Sequence, residues 1–485
     1  MKSITGTWLL LVLSIWQAAG EVSAQAVSST RAHNIAANYL QIRHPHQQAG
    51  TAEVLLSDND TVAWLVRCAP TGFVVVPVTD ALAPILAWSD EGTFGEGEAW
   101  KSFLPLFTEE LRMRKQYAAA GNMVAGKISD AWAYWSNPAE GAKLFEQWPP
   151  EGWSPTGGWL QTNWTQTAPY NAMCPVDGQT QQRSVAGCPA TAMAQIVHYH
   201  RRTNSTRFSD ADDYYHNFGA NNKYWIDDDW ASHGFPSWEQ LNLYLDTLDM
   251  HFEQGAPLKN SDKAALTYAC GVAAKQVYSS SVSGTYGINQ AWDAFVRFGY
   301  EDAKLVYPTN PELNAMLTEN IKIALPAQLG LVNPDQTAGH NVVVDGYNTD
   351  ELYHFNFGWG GSANGWYTMP PDNIPYQLTV IEGIVLDINL SNSTIGIPET
   401  VVITPKPQLF YDAMQAVLHI ALAGEGQTCT LQIVNSAGKL QLQQQHTTSS
   451  GNQDAEVSLG HLPKGFYLAS LKDASGSSRV LKFVR

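Results

Sequence analysis

Residues Gly187-Cys188-Pro189-Ala190-Thr191-Ala192-Met193-Ala194-Gln195 constrain the fold more than any other stretch of this chain. Glycine permits a tight backbone approach, and proline follows where helices favour it, at their first position. Ala192, Met193, Ile196, Val197 and Tyr199 then recur at helical spacing. The spacing predicts a buried helix with a thiol at its N-terminus, and a core must close around it. First-turn N–H groups and the helix dipole favour an anion at that end and depress a thiol pKa. The same stretch also fits a small buried cysteine capping a core helix.

A length of 485 residues suggests about three folded units. With 44% hydrophobic and 15% charged residues the chain can bury large cores. The formal charge is 28 − 45 = −17 without a basic cluster, which excludes nucleic acid as a partner. Lys2, the apolar run Trp8 to Ile15 and the small-residue pattern Ala24-Gln25-Ala26 read as a secretory signal peptide over 1–26. The protein is therefore expected outside the cytoplasm, secreted or at the cell surface. Five cysteines, an odd number, imply at least one free thiol in an oxidising compartment. They lack CxxC pairs, so neither a zinc site nor a disulfide framework is expected. Cys68 and Cys429 read as buried small hydrophobes, and a bridge between Cys174 and Cys270 stays open.

Residues 27–150 are expected to form a small α+β module and a linker. Helices fall at 29–43 and 104–119, and strands at 53–56, 61–67, 73–78 and 85–88. Pro and Gly accumulate between Ser136 and Gly158, where a protease would cut. A central unit, 151–392, places helices at 241–248, 264–278 and 289–298 ahead of strands at 327–332, 340–347 and 352–357, an α+β order. The acidic clusters Asp212-Asp213 and Asp227-Asp228-Asp229 lack the pattern of a calcium loop and read as solvated surface. His198 and His200 lie two apart on the first helix, on different faces, and suggest packing rather than metal binding. Residues 400–485 carry short alternating strands, including 401–404, and suggest a β-sandwich.

Thiol-dependent hydrolysis needs a thiolate, an imidazole, a group that orients the imidazole, and donors for the oxyanion. His340 begins the strong strand His340 to Tyr347. Asn356 offers an amide oxygen, Trp359 an indole wall, and Gln166 a side-chain donor beside the backbone N–H of Cys188. Taken singly, His340 also fits a strand-edge histidine, and residues 356–361 a Gly-rich turn with structural aromatics.

Trp164-Thr165-Gln166, Pro169 to Pro175, Ala186 to Ala192, Gly339-His340 and Asn356 to Gly361 together resemble the streptopain family of papain-like cysteine peptidases. Residues 71–94 resemble that family's propeptide, which blocks the cleft until removed. The resemblance implies a two-lobed papain-like domain. In it Cys188 is the nucleophile, His340 the general base and acid, Gln166 the oxyanion donor, and Trp359 lies beside the histidine. Cys270 to Ala273 and the 279–284 loop resemble the cleft-side helix and the substrate-pocket rim. Phe357 departs from the family's tryptophan. Gly465-Phe466-Tyr467 and the terminal Lys482-Phe483-Val484-Arg485 resemble sorting domains of type IX secretion, whereas Gly-x-Tyr strands also recur in generic Ig-like domains.

These readings imply a secreted zymogen endopeptidase with a thiolate–imidazolium pair and a thioester intermediate. Its partners are protein or peptide substrates, its own propeptide and the secretion machinery, and it needs no cofactor or metal. An amidase or transglutaminase-like acyltransferase on the same scaffold, or a non-catalytic adhesin, are the alternatives.

Overall fold

The computed structural model describes residues 24–120, 125–137, 145–219, 222–370 and 379–389 of a first compact unit, Met1–Asn392. In the second unit, Ser393–Arg485, it describes 408–485 apart from 413–415, 422–427, 436–438, 448–453 and 474–477. The signal peptide expected up to residue 26 lies almost wholly outside the described residues, as does the strand expected at 401–404. Among the described residues no helix is long and apolar enough to cross a membrane.

The first unit opens with α1 (Ser29–Arg43), β1 (Gln48–Ser57), β2 (Asp60–Ala69), β3 (Phe73–Pro77), β4 (Ala87–Ser89), α2 (Glu98–Ala119) and α3 (Ala125–Ser136). Ser28 caps α1 by accepting from the Arg31 amide at 3.2 Å. A short β5 (Gln147–Trp148) leads to α4 (Cys188–His200), the hairpin β6 (Tyr214–Asn217) and β7 (Lys223–Ile226), and α5 (Trp230–His233). Then come α6 (Trp238–Glu253), α7 (Asn260–Ala273), α8 (Ile288–Arg297), β8 (Lys304–Val306) and α9 (Leu313–Lys322). The unit closes with β9 (Ala327–Val332), β10 (Gly339–Asn348), β11 (Leu352–Asn356), β12 (Gly365–Tyr367) and β13 (Ile381–Leu386). The helix expected to reach Tyr278 stops at Ala273. Lys275 turns into the left-handed region at φ 48°, and Val277 bridges to Gly284.

One sheet runs β1-β2-β3-β4-β12-β11-β10-β9-β13-β8, with β5 added to β10. The N-terminal module is therefore not a separate layer. Its last strand pairs with the central unit through Trp88↔Trp366 and Ala87↔Tyr367. The expected linker is also partly built in, since Trp148 pairs with Tyr347 and stacks on it at 6.1 Å. Strand β10 is buried on both faces, which is why it reads as a continuous apolar run. Val343 faces the helical core with Met193 and Leu266, while Val342 and Val344 face a second core shared with Phe103 and Leu111 of α2.

Polar contacts reinforce that junction. Arg43 forms a buried two-pronged pair with Asp350 (2.7 and 3.0 Å). Arg114 donates to the Thr368 hydroxyl and carbonyl (2.8 and 3.0 Å), and the Glu110 carboxylate accepts from the Val380 amide at 2.7 Å.

The second unit holds β14 (Gln408–Asp412), β15 (Val417–Ala421), β16 (Thr428–Asn435), β17 (Leu440–Thr447), β18 (Asp454–Ser458), β19 (Phe466–Asp473) and β20 (Ser478–Val484). They form sheets β14-β15-β18 and β17-β16-β19-β20. Leu418 and Ile420 of the first sheet share a core with Leu431, Ile433 and Leu471 of the second, giving a sandwich. Cys429 is buried in that core.

Candidate active site

Helix α4 packs against α7, α8 and β10, so its N-terminus meets the sheet where β10 begins. Gly187 enters the helix at φ 87°, ψ 141°, a conformation that only glycine adopts without strain. A Cβ there would also lie 2.6–2.8 Å from the Gln276 side-chain amide, which itself donates to the Ala186 carbonyl at 2.7 Å. The Gln166 carbonyl accepts from the Ala186 amide at 2.8 Å, so Gln166 lies alongside the residues leading into Cys188, with its side chain half-buried.

The backbone N–H groups of Cys188 and of Asn341, the neighbour of His340 on β10, both favour the Cys188 thiolate. The helix end that carries the thiol thus lies beside the strand residue that follows His340. His340 is 4% exposed. Its ring stacks on Trp359 (centroids 4.0 Å, 14° apart), and Phe357 lies parallel at 6.1 Å. Its Nε2–H donates to the Phe357 carbonyl at 3.0 Å. Gln328, fully buried, ties the two sides together by donating to Asn341 Oδ1 at 2.8 Å and the Pro189 carbonyl at 3.4 Å.

Two expectations differ from this geometry. The thiol does not rest ionised: burial pushes it up to about 11 against the two N–H donors that favour the thiolate, and burial lowers His340 to about 4. Burial thus favours the uncharged form of each partner over the expected thiolate–imidazolium. Nor does Asn356 touch the imidazole. Its Oδ1 accepts from Gln195 Nε2 (3.2 Å) and the Gly358 amide (3.1 Å), and its Nδ2 donates to the Thr162 carbonyl (2.8 Å). The imidazole is oriented by a main-chain carbonyl, which no side-chain pattern announces. Gln195, Gln328 and Asn341 were not singled out as site residues from the sequence. The available signal was a long amide in an otherwise apolar helix or strand.

The remaining candidates resolve simply. All five cysteines are free thiols, Cys174 and Cys270 included. His198 packs beside Trp164 (5.4 Å) and His200 beside Tyr300 (5.6 Å). The carboxylates of Asp213, Asp227 and Asp228 approach one another closely enough for one cation. Two of them already have structural work: Asp213 accepts from Trp238 Nε1 and Asp227 from the Trp238 amide, both at 2.7 Å.

The N-terminal module reaches this centre through the Phe103 ring and through Ser89, which donates to the carbonyl of Asn364, whose Oδ1 accepts from the Phe357 amide. Phe103 of α2 lies 4.3 Å from Phe357, whose carbonyl holds His340 and whose ring is parallel to Trp359.

Comparison with known proteins covers the same three segments. Residues 164–367 match the Peptidase C10 family, 24–114 the Spi protease inhibitor, and 414–484 the secretion system C-terminal sorting domain. Streptopain of Streptococcus pyogenes is 24% identical over 323 residues, 61% of this chain and 71% of the relative. The thiol protease/hemagglutinin PrtT of Porphyromonas gingivalis is 24% identical over 390 residues, 75% of this chain and 41% of that protein. A Prevotella intermedia prointerpain A fragment superposes with TM-score 0.47 at 21% identity, covering 70% of this chain and 98% of the fragment. The sorting domain marks a secreted or cell-surface protein. Residues 164–367 thus carry a Peptidase C10 domain behind an inhibitor-like N-terminal segment, and the chain is a cysteine-type endopeptidase.

Proposed function

We propose that this endopeptidase works by acyl transfer at Cys188 and that the unprocessed chain is a latent form of it. In the working state the imidazole of His340 takes the thiol proton, and the sulfur adds to a peptide carbonyl. The Gln166 side-chain amide and the Cys188 N–H hold the oxyanion. His340 then protonates the leaving amine, and water deprotonated by the same ring clears the thioester. Trp359 shields the imidazole from water. Asn356 shapes the turn that carries Trp359.

The observation that carries the reading is the Gln328 bridge, which donates to the carbonyl of Pro189, next to Cys188 at the N-terminus of α4, and to Oδ1 of Asn341, next to His340 on β10. Latency is supported by the imidazole donating its Nε2–H to the Phe357 carbonyl while Phe103 presses on the Phe357 ring. Removing α2 frees that ring, lets the imidazole turn to the sulfur, and opens the pair to water. The reading assigns 1–26 to a signal peptide, 27–150 to the inhibitory propeptide and linker, 151–392 to the catalytic domain, and 400–485 to sorting. Substrates are proteins or peptides, and the secretion machinery engages the tail. The test is Cys188→Ala in the full chain: the N-terminal segment stays attached and casein is not cleaved. Retained cleavage refutes the assignment.

A further inference from the structure

We propose that Gln195, about two turns below Cys188 on α4, is a positioning residue that keeps Gln166 in register with the nucleophile. The inference rests on the roles given above to Cys188 and Gln166. Helix α4 is almost wholly apolar on its buried surface, with Ala190, Ala192, Met193, Ile196 and Val197 in the core, yet Gln195 is fully buried among them. A long polar side chain in such a place is costly unless each end is bonded, and both ends are. Its Oε1 accepts from the Thr162 hydroxyl and the Trp164 amide, both at 3.0 Å, and its Nε2 donates to Asn356 Oδ1 at 3.2 Å.

Each of those partners leads to a different part of the site. Thr162 and Trp164 belong to the segment that ends in Gln166. Asn356 holds the Gly358 amide at 3.1 Å, at the start of the turn that carries Trp359. The two loops also close on each other directly, with the Asn356 amide donating to the Thr162 carbonyl (2.8 Å) and the Gly360 amide to the Trp164 carbonyl (2.9 Å). The Gln195 amide is the point where the helix of Cys188, the segment of Gln166 and the turn of Trp359 are bonded together. It needs an acceptor and a donor at one reach. Leucine provides neither, and an ionised glutamate lacks the donor.

A residue acting through Gln166 alters acyl transfer, which builds an oxyanion, and spares thiol alkylation, which builds none. Each variant is made as the full chain and processed by the same added peptidase, which is then inhibited. Loss of an oxyanion donor lowers kcat about 10²–10³-fold, so misalignment by Gln195→Leu is expected to lower kcat about 10–100-fold with KM within about threefold. Alkylation of Cys188 by iodoacetamide is expected to stay within about threefold of the parent. In a Gln166→Ala background the same substitution is expected to cost less than about threefold, because its route is already cut. Thr162→Val, which removes a single bond to Gln195 Oε1, gives the same pattern at smaller size and serves if Gln195→Leu does not fold.

An unchanged kcat in both variants overturns the inference. So does an equal loss in the Gln166→Ala background, or an equal loss of hydrolysis and alkylation, since those describe general loosening of the fold. Cleavage that survives Cys188→Ala is a different failure, that of the underlying reading.

Discussion

The resting protonation of the Cys188–His340 pair gives the most demanding prediction. In the unprocessed chain burial holds the thiol at about 11 and the imidazole at about 4. At pH 7 the thiol lies four units below its midpoint, so roughly one sulfur in 10⁴ is ionised, and the imidazole lies above its midpoint and is uncharged. A thiol paired with an imidazolium titrates at roughly 3.5–7.5, and taking about 5 makes it almost fully ionised at pH 7, a gain of about four decades. A more acidic thiolate is a weaker nucleophile, and with a Brønsted slope of about 0.45 the six-unit drop returns about 2.7 decades. The net expectation is alkylation about 20-fold faster after processing at pH 7, with burial of the unprocessed sulfur widening the gap further.

The slope is a sharper readout than the ratio. The rate for the unprocessed chain is expected to rise about tenfold per pH unit from 6 to 9, and that for the processed form to stay flat over the range where its pair is formed. Iodoacetamide kinetics on the full chain carrying Gln166→Ala, which slows self-processing and leaves alkylation intact, supply the first profile. A flat profile for that unprocessed chain between pH 6 and 9 refutes the argument that burial, rather than the helix end, sets the state of the thiol.

Two substitutions test the surroundings. Phe103→Ala removes a buried ring that touches Phe357 at 4.3 Å and Tyr367 at 5.6 Å across the junction. Such truncations cost about 3–5 kcal/mol; even half of that lost from docking shortens the half-time of full-chain processing at least about tenfold, and an unchanged half-time on gels contradicts the latency reading. Gly187→Ala puts a Cβ against Gln276 in a backbone region closed to alanine. The strain is about 1–3 kcal/mol and is expected to lower the urea midpoint and peptide hydrolysis together; a midpoint equal to the parent's contradicts it.

Much of this centre was legible because its parts are local. Gly187, Cys188 and Pro189 announce the start of α4, and the β-rich run after His340 announces β10, since both signals lie within a few residues. The fusion of the N-terminal module with the central sheet was not legible. Ala87 meets Tyr367 across 280 positions, through backbone groups that every residue carries. Gln147–Trp148 escaped notice because two residues make no period, and β17 because its exposed glutamines present no apolar face. Helix α3 did carry a signal in Ile128, Trp132 and Trp135, spaced four and three apart, where the rising Pro/Gly content just beyond drew attention to a linker instead. A helix end is readable in sequence, whereas the depth at which the thiol is buried is not.

The shared register of β4 and β12 has a consequence for timing. Severing the chain between Ser136 and Gly158 removes a covalent link but leaves Trp88 and Ala87 bonded to Trp366 and Tyr367, and Arg43 still locked on Asp350. A nicked molecule is thus expected to stay closed until the strands part. On the latency reading, what starts the clock is strand β4 peeling away from its neighbour, a step expected to follow off-rate, temperature and dilution rather than whichever blade made the cut. It leaves behind a three-residue border of the sheet, too short to recruit stray strands with any strength.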